Sequence, residues 1–317
     1  RQSGWLTNDW QRFNAACIKI RKLLTAESRI REKPEFAGKA TQSTTRVGTQ
    51  GTQGAQAADK SARIAGTIDF QHVDFAFPDD LGTPVLSDID FHVPAGAKLG
   101  ILGETGSGKS TLVNLISRFY DPTAGRVLID GIDARDWPLA TLRSQVCIVA
   151  QDTFLFSDTI GSNISFGAGD RGNRLEYNGQ YDGQRRRRGY DEQYVRRMAA
   201  IAGADGFISS MPDGYDTVVG ERGVGLSGGQ KQRLSLARAL ADNPSILIMD
   251  DTTSAVDMET EAEIQRHLRD LDEKKTIVTI AHRISSVKDS DLILVLEHGR
   301  IVERGTHDEL VASHGRY

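Results

Sequence analysis

The chain has 317 residues and a formal net charge of −4, from 39 Lys and Arg against 43 Asp and Glu. This length holds one large domain or two small ones, each with its own core. The near balance of charge excludes a global basic field of the kind that attracts nucleic acid.

The two cysteines and the absence of long apolar runs limit the cellular compartments that fit this chain. Cys17 and Cys147 lie far apart without metal-ligand or disulfide spacing, which favours a reducing, cytosolic environment. No run approaches the roughly 18 apolar residues of a membrane span, and no signal peptide opens the sequence. Because the sequence begins at Arg1 and not at Met, we expect a fragment of a longer protein.

The first predicted element is a helix over residues 4–24. Its apolar residues recur three or four positions apart, the spacing of one helical face. They are Trp10, Phe13, Cys17, Ile20 and Leu24. Two interpretations are open at this point: an amphipathic helix packed on the domain, or the end of a longer helix whose membrane part is missing.

A flexible linker is predicted next. Residues 41–60 are rich in Gly, Thr, Gln and Ala and have almost no large apolar side chain to offset the entropy of ordering. Apolar alternation starts at "GTIDFQHVDFAF", residues 66–77, where we expect the folded domain to begin.

The domain alternates short apolar runs with helical patterns. "AKLGIL", "SILIMD" and "TIVTIA" have the length and composition of strands buried on both faces. "STLVNLISRFY", "EQYVRRMAAIAGADGFISSM" and "GGQKQRLSLARALA" predict helices. Strands separated by helices indicate a parallel α/β sheet, which a helical insertion interrupts.

A glycine loop between the first of these strands and its helix predicts a phosphate site. "GETGSGKST" satisfies the G-x-x-x-x-G-K-[ST] pattern in its required strand-loop-helix context. Its glycines let backbone N–H groups face a polyphosphate, while Lys109 supplies positive charge and the Ser110 hydroxyl can ligate Mg²⁺. The candidate residues are Gly103, Glu104, Thr105, Gly106, Ser107, Gly108, Lys109, Ser110 and Thr111.

Two further segments extend this prediction. "ILIMDD", residues 246–251, ends a buried strand in Asp250, which is placed to hold Mg²⁺. "LSGGQ", residues 226–230, precedes a helical pattern, so Ser227 is the expected N-cap and Gly228 and Gly229 expose N–H groups at the helix start. One nucleotide rarely needs two such phosphate-binding surfaces, unless each completes a site on another molecule.

Taken in order, these motifs resemble the ATP-binding cassette (ABC) family, specifically the nucleotide-binding domain of an ABC exporter, over about residues 66–317. The motifs are Phe77 in "VDFAFP", "GETGSGKST", Gln151 in "VAQDTFLF", "GERG" before "LSGGQ", "ILIMDD", "SAVD" and His282 in "AHRISS". The resemblance implies an α/β P-loop NTPase fold. It would have a RecA-like parallel-sheet core, an antiparallel β subdomain and an inserted α-helical subdomain at about 155–243.

The resemblance also implies roles around bound ATP and Mg²⁺. Phe77 would stack on adenine where tyrosine is usual, keeping the ring without the hydroxyl. Ser110, Gln151 and Asp250 would bind Mg²⁺. Gln151 would also transmit the nucleotide state of the site to a transmembrane part. His282 would contact the γ phosphate. With Lys109, Gln151 and Asp251, it forms the candidate catalytic set.

Partners follow from the same resemblance. Two cassettes of this family close head to tail, so Ser227, Gly228, Gly229 and Gln230 of one chain would complete the phosphate site of the other. Ser254–Asp257 would cross that interface, and Glu221, Arg222 and Gly223 would touch the coupling helices of a transmembrane domain. No nucleic-acid partner is expected.

The family resemblance favours the second interpretation of the N-terminal helix. Residues 1–30 resemble the end of a last transmembrane helix, 31–65 the linker, and 66–317 the cassette. The expected location is the cytoplasmic face of a membrane, through a transmembrane domain absent from these residues.

Asp251 departs from the family pattern, which has a glutamate that polarises the attacking water. Aspartate is shorter by one C–C bond, about 1.5 Å, and a misplacement of about 1 Å can cost on the order of 10²-fold in rate. We therefore expect slow hydrolysis with intact ATP binding, as in the degenerate half of a heterodimeric exporter. A competent homodimer, a regulatory subunit that never turns over and a soluble ABC protein remain as alternatives.

Two further features of the sequence are a long polar segment and a cysteine in an apolar run. Residues 169–193, after a strand expected to end at "NISFG", form a long polar segment containing Arg185 to Arg188. A solvated insertion is favoured there over an RNA or anionic-lipid contact. Cys147 lies in an apolar run and is expected to be a core residue.

Overall fold

A computed structural model of the chain describes residues 3–25, 28, 30–34, 36, 63–171, 191–220, 223–252, 255–271 and 274–317. In chain order the helices and strands are α1 (Ser3–Leu24), β1 (Ile68–Ala76), β2 (Pro84–Val93), β3 (Lys98–Gly103), α2 (Lys109–Ile116), β4 (Ala124–Ile129), β5 (Ile132–Asp133), α3 (Leu139–Gln145), β6 (Val146–Val149), α4 (Ile160–Ser165), α5 (Glu192–Ile201), α6 (Asp205–Ser209), α7 (Gly228–Ala241), β7 (Ile246–Asp250), α8 (Met258–Arg269), β8 (Thr276–Ile280), β9 (Leu292–Glu297), β10 (Arg300–Gly305) and α9 (His307–Ser313).

A six-stranded sheet in the order β10-β9-β3-β8-β7-β6 forms the centre. Its strands β9, β3, β8, β7 and β6 run parallel, and β10 pairs with β9 antiparallel. All five residues of β8 are buried, as a strand covered on both faces requires. The three strands predicted from the apolar runs are confirmed as β3, β7 and β8.

A second sheet, in the order β2-β1-β4-β5, is antiparallel. Its inner residues alternate with exposed ones, and they share one apolar core with β3 and α2. Phe70 and Phe91 stack across β1 and β2 with ring centroids 4.6 Å apart. This sheet therefore packs on the helix that follows the glycine loop.

Helices α4 to α7 surround a second apolar core on the other side of β7 and β8. The expectation that "NISFG" ends a strand is wrong, because Ile160–Ser165 is helical. Thr159 caps this helix by accepting a hydrogen bond from Ser162 N at 3.0 Å. Ile160 and Ile164 are four residues apart, a helical period, and both are fully buried. Cys147, on β6, is partly buried against the same core.

The predicted N-terminal helix is present as α1, but its apolar side chains are exposed. Trp10 is 66% exposed and Leu24 82%, so this face does not pack on the folded domain. Among the described residues, no helix has both the length and the apolar character needed to cross a membrane.

Residues 31–33, at the start of the predicted linker, contact the folded domain. The carbonyl of Arg31 accepts from the buried Arg118 guanidinium at 3.0 Å, and Lys33 pairs with Asp136 at 2.6 Å. The Glu32 carboxylate accepts from Leu139 N at 2.7 Å. This carboxylate supplies the N-terminal cap that Pro138, the residue before α3, lacks.

Candidate nucleotide site

The parallel strands bring the predicted phosphate and metal residues to one edge of the central sheet. β3, β8, β7 and β6 are consecutive neighbours and point the same way. The segments that follow them therefore leave the sheet together, at its carboxyl edge, where open α/β sheets bind ligands. These segments carry the glycine loop, His282, the pair Asp250–Asp251, and Gln151.

The glycine loop ends at Gly108, whose backbone has a φ of +101° and immediately precedes α2. That left-handed conformation suits glycine, and an added Cβ would lie 2.7 Å from Leu86. Within the described residues, no side chain caps the start of α2. The first N–H groups of this helix thus face the loop without a side-chain acceptor, which is the arrangement that receives phosphate in P-loop proteins.

Lys109 is buried at the first position of α2 and folds back over the loop. Its Nζ donates to the carbonyls of Gly103 at 2.7 Å and Glu104 at 2.8 Å. Burial lowers the pKa of Lys109, and the nearby carboxylates of Asp250 and Asp251 oppose that shift. A cation whose hydrogen bonds go to neutral carbonyls can exchange them for phosphate oxygens.

Ser110 and Asp250 meet across the site, as the sequence predicted. The Ser110 hydroxyl donates to Asp250 Oδ2 at 3.3 Å. Burial raises the pKa of Asp250; the Ser110 hydrogen bond opposes this, while the neighbouring Asp251 carboxylate reinforces it. Lys109 and His282 also act against the rise. Lys109, Ser110, Asp251 and His282 therefore all interact with Asp250, electrostatically or by hydrogen bond.

The donor set fits Mg²⁺. A hydroxyl and a carboxylate are the hard oxygen ligands that this ion takes, and the ion usually keeps waters or substrate phosphates as its other ligands. The carboxylates of Asp250 and Asp251 raise the local negative charge, which a divalent cation would neutralise. Among the described residues no group of three or more His, Cys, Asp or Glu is arranged to hold a metal. Nucleotide phosphates would have to complete the coordination.

Asp251 continues the β7 ladder but turns out of it. Its N–H donates to the Ile280 carbonyl at 3.0 Å, and its φ is +48°. Aspartate adopts this left-handed conformation more readily than most residues with a Cβ. The backbone at this position accordingly favours a short polar side chain.

Phe77 lies immediately after β1 and is 38% exposed. Its ring meets those of Phe75 and Tyr120 edge to face, at centroid distances of 5.2 Å and 5.5 Å. An exposed face on a supported ring can stack on a planar base. The motif around Phe77 predicted its role, whereas nothing in the sequence analysis singled out Tyr120. The one sequence feature that could have done so is its position as an aromatic residue after the helix, in "SRFYDP".

The "LSGGQ" segment starts α7 as predicted. Ser227 is the N-cap, and a full capping box links it with Gln230 through hydrogen bonds of 2.9 Å and 3.3 Å. A Cβ on Gly229 would lie 2.6 Å from the Ala255 carbonyl. Gln232, one turn on, accepts from Ala255 N at 3.2 Å. The segment is thus bound to the "SAVD" loop that follows Asp251.

The remaining predicted residues differ in where they lie and in whether the structure describes them. Gln151 and His282 are exposed at the carboxyl edge. Glu221, Arg222, Ser254 and residues 172–190, which include Arg185 to Arg188, lie outside the described residues. Gly223 is described and has a left-handed φ of +78°.

An apolar groove that the sequence did not predict lies between β6 and α7. It encloses about 440 Å³ and is lined by Cys147, Phe154, Phe166 and Arg238, among others. Phe154 and Phe166, which line it, are 56% and 61% exposed, and the ring of Phe156, 38% exposed, contacts both of them. An exposed aromatic cluster of this kind marks an interaction surface.

The fold and this edge define a P-loop nucleotide triphosphatase. A family model described as "ABC transporter" matches residues 86–254, and the chain belongs to that family. Membership implies an ATP-binding domain that hydrolyses ATP, and its fold is the α/β cassette that the resemblance implied.

Relatives of known name agree with this assignment. The chain is 43% identical over 258 residues to an ATP-dependent lipid A-core flippase of Photobacterium profundum, covering 81% of this chain and 41% of the relative. It is 46% identical over 255 residues to an uncharacterized ABC transporter ATP-binding protein of Bacillus subtilis, covering 80% and 39%.

A solved structure of a bacterial Atm1-family ABC exporter with ATP bound superimposes with a TM-score of 0.70 at 41% identity, covering 80% of this chain and 40% of that one. The chain therefore spans about 40% of the length of the relatives it matches. These comparisons identify the chain as the ATP-binding domain of an ABC transporter, similar to that of an ABC exporter.

Proposed function

We propose that this chain binds Mg-ATP at the carboxyl edge of its central sheet and uses it to drive substrate export through a transmembrane domain. The observation that carries the proposal is the meeting of Ser110 and Asp250 at 3.3 Å beside the buried Lys109. P-loop nucleotide triphosphatases bind phosphate and Mg²⁺ with this combination of a lysine and a hydroxyl at the start of a helix and a carboxylate at the end of a neighbouring strand.

Each residue then has a distinct task. Lys109 exchanges the carbonyls of Gly103 and Glu104 for phosphate oxygens, and the uncapped N–H groups of α2 bind the same charge. Ser110 and Asp250, with Gln151, would hold Mg²⁺, which neutralises phosphate charge when bound. Phe77 stacks on the base, and His282 contacts the terminal phosphate.

Hydrolysis at this site is proposed to be slow because Asp251 is short. The attacking water needs a base within hydrogen-bond reach. A misplacement of about 1 Å lowers the rate on the order of 10²-fold, or roughly 2.7 kcal/mol of barrier.

A second cassette is proposed as the partner, closing head to tail. The start of α7 supports this, because Ser227 and Gly228 are exposed and the side-chain hydrogen bond of Ser227 stays within the capping box with Gln230. A heterodimeric partner with a competent site is favoured, since an intact "LSGGQ" would serve that site while Asp251 slows this one.

Attachment to a transmembrane domain at the cytoplasmic face of a membrane is the last part of the proposal. The groove lined by Phe154 and Phe166 offers an apolar docking surface, and Ala150 and Asp152, on either side of Gln151, line it as well. The apolar face of α1 is exposed as well. Membrane association of the full-length product would separate this proposal from a soluble ABC protein.

The decisive experiment is Mg²⁺-dependent ATP hydrolysis by the purified chain and by Asp251→Glu, with Asp251→Asn as the control that keeps the size and removes the base. We expect ATP binding in all three proteins, slow turnover in the unmodified chain and a gain of up to about 10²-fold for glutamate. Fast turnover in the unmodified chain would contradict the slow site and favour a homodimeric ATPase. Binding without turnover in all three proteins would indicate that a partner cassette is required.

A further inference from the structure

Phe77 is held by two other aromatic rings. Its plane stands at 82° to Phe75 and 83° to Tyr120, and Phe75 and Tyr120 themselves lie 5.4 Å apart. Phe75 is 2% exposed and belongs to the core, whereas Tyr120 is partly buried. Two perpendicular contacts on one ring restrict its rotation and leave a defined face toward solvent.

Tyr120 is itself fixed to the end of α2. Past the last helical residue, Ile116, the N–H of Phe119 donates to the Asn114 carbonyl at 2.9 Å and that of Arg118 to the Leu115 carbonyl at 3.1 Å. These two bonds form a Schellman motif, in which the residue after the C-cap is left-handed. Arg118 is that residue, with a φ of +51°.

An arginine is held in this left-handed position, where glycine is usual, by its side chain. The Arg118 guanidinium is buried, donates to Asp121 at 2.9 Å, and reaches the Arg31 carbonyl at 3.0 Å. These bonds offset the steric cost of the left-handed backbone. The turn that carries Tyr120 is therefore rigidly attached to α2.

Helix α2 connects the phosphate site with the turn that carries Tyr120. Lys109 and Ser110 begin the helix at the phosphate site, and its eight residues extend for about 12 Å before the turn. At that end Tyr120 supports the exposed Phe77. The helix sets the separation between the phosphate site and the aromatic platform.

We propose that Tyr120 is a positioning residue for the nucleobase: it orients the Phe77 ring and, through α2, holds that platform at a fixed distance from the phosphate site. The inference rests on the proposed function, since it requires that Phe77 stacks on the base. Tyr120 acts through Phe77 and need not touch the nucleotide.

Nucleotide titrations of the full chain test this directly, with ATP as one probe and inorganic tripolyphosphate, which has no base, as the other. Tyr120→Leu removes the ring, and Tyr120→Phe retains it. We expect Tyr120→Leu to weaken ATP about 3- to 10-fold, the value of a lost aromatic pair, with tripolyphosphate unchanged. Tyr120→Phe should bind both as the unmodified chain does.

A double-mutant cycle separates positioning from general damage. In a Phe77→Leu background the Tyr120→Leu change should no longer alter ATP affinity, because the platform it orients is gone. An equal loss of tripolyphosphate and ATP in Tyr120→Leu, or an undiminished ATP loss in the Phe77→Leu background, would overturn the inference. The proposed function would survive either result. An unmodified chain that binds neither probe would overturn both proposals.

Discussion

Two helices of this chain begin at glycine-rich segments, and their first turns differ. Among the described residues no side chain caps the start of α2, whose loop is held by Lys109 on its own carbonyls. The start of α7 has a complete capping box between Ser227 and Gln230. The first is open to a ligand within this chain, and the second is stable at the surface without one.

Two similar phosphate-binding patterns in one molecule can therefore have different roles in nucleotide binding. The start of α2 lies beside Asp250 and within the field of Asp251, so metal and phosphate charges meet there. The start of α7 contacts Ala255, on the loop that follows those carboxylates. We propose that α7 acts on a nucleotide only when a second cassette supplies the rest of a site.

The largest expected effect comes from removing the cation of the open helix. Lys109→Ala should weaken ATP about 10- to 100-fold, because a charged hydrogen-bond donor to phosphate is lost. Lys288→Ala, which removes an exposed lysine far from the loop in sequence, is the control and should bind ATP normally. Calorimetric titration measures both. Equal affinities in the two variants would remove the distinction between the helix starts.

A substitution at the capped start of α7 should lower the stability of the protein without changing the ATP affinity of the isolated chain. Ser227→Ala removes the cap of α7 and should lower the free energy of unfolding by about 1 kcal/mol. Thr306→Ala is a matched control, because Thr306 and Glu309 form the same box at α9. Both variants should lose similar stability in urea titrations and keep the ATP affinity of the isolated chain.

Only the Ser227 variant should also slow ATP turnover once a partner cassette is present. Its hydroxyl would then face the partner's phosphate, whereas the Thr306 cap would not. Steady-state hydrolysis by the assembled pair provides the measurement. A similar loss of turnover in both variants would show that the start of α7 contributes stability alone.

The smallest expected effect is on the alkylation rate of Cys147, which lies in the groove beside the C-terminal half of α7. Burial raises the pKa of Cys147 to about 12, with Asp242 adding to the rise and Arg238 opposing it. The thiol is then neutral at pH 7 to 9, and its alkylation rate should rise about tenfold per pH unit across that range. Mass spectrometry of iodoacetamide-treated protein should find the exposed Cys17 modified long before Cys147. Rapid labelling of Cys147 at neutral pH would mean that α7 separates from β6.

Sequence reasoning located most of the candidate site because the relevant spacings are local. A loop of fixed length between a strand and a helix specified Lys109 and Ser110, and an apolar run specified the strand that ends at Asp250. It was wrong about "NISFG", where a capped helix of six residues replaces the expected strand end. Short apolar runs do not distinguish the two structures.

Other features depend on contacts between residues far apart in the chain. Tyr120 meets Phe77 across the sheet and helix packing, and Glu32 caps α3 at Leu139, 107 residues away. Asp251, whose φ is left-handed, is held through its N–H by the Ile280 carbonyl at the end of β8. No single segment contains the partners that impose these conformations.

Local sequence patterns were enough to predict strands β3, β7 and β8, the glycine loop, the capped start of α7 and the residue types of a nucleotide site, because period, capping chemistry and loop length are properties of neighbouring residues. Only the tertiary structure decided which side chains meet. It joined Ser110 to Asp250, supported Phe77 with Tyr120, and bound α7 to the loop after Asp251. The physical reason is that strand order and packing in a parallel sheet are settled by burial of the whole core, which no local pattern encodes.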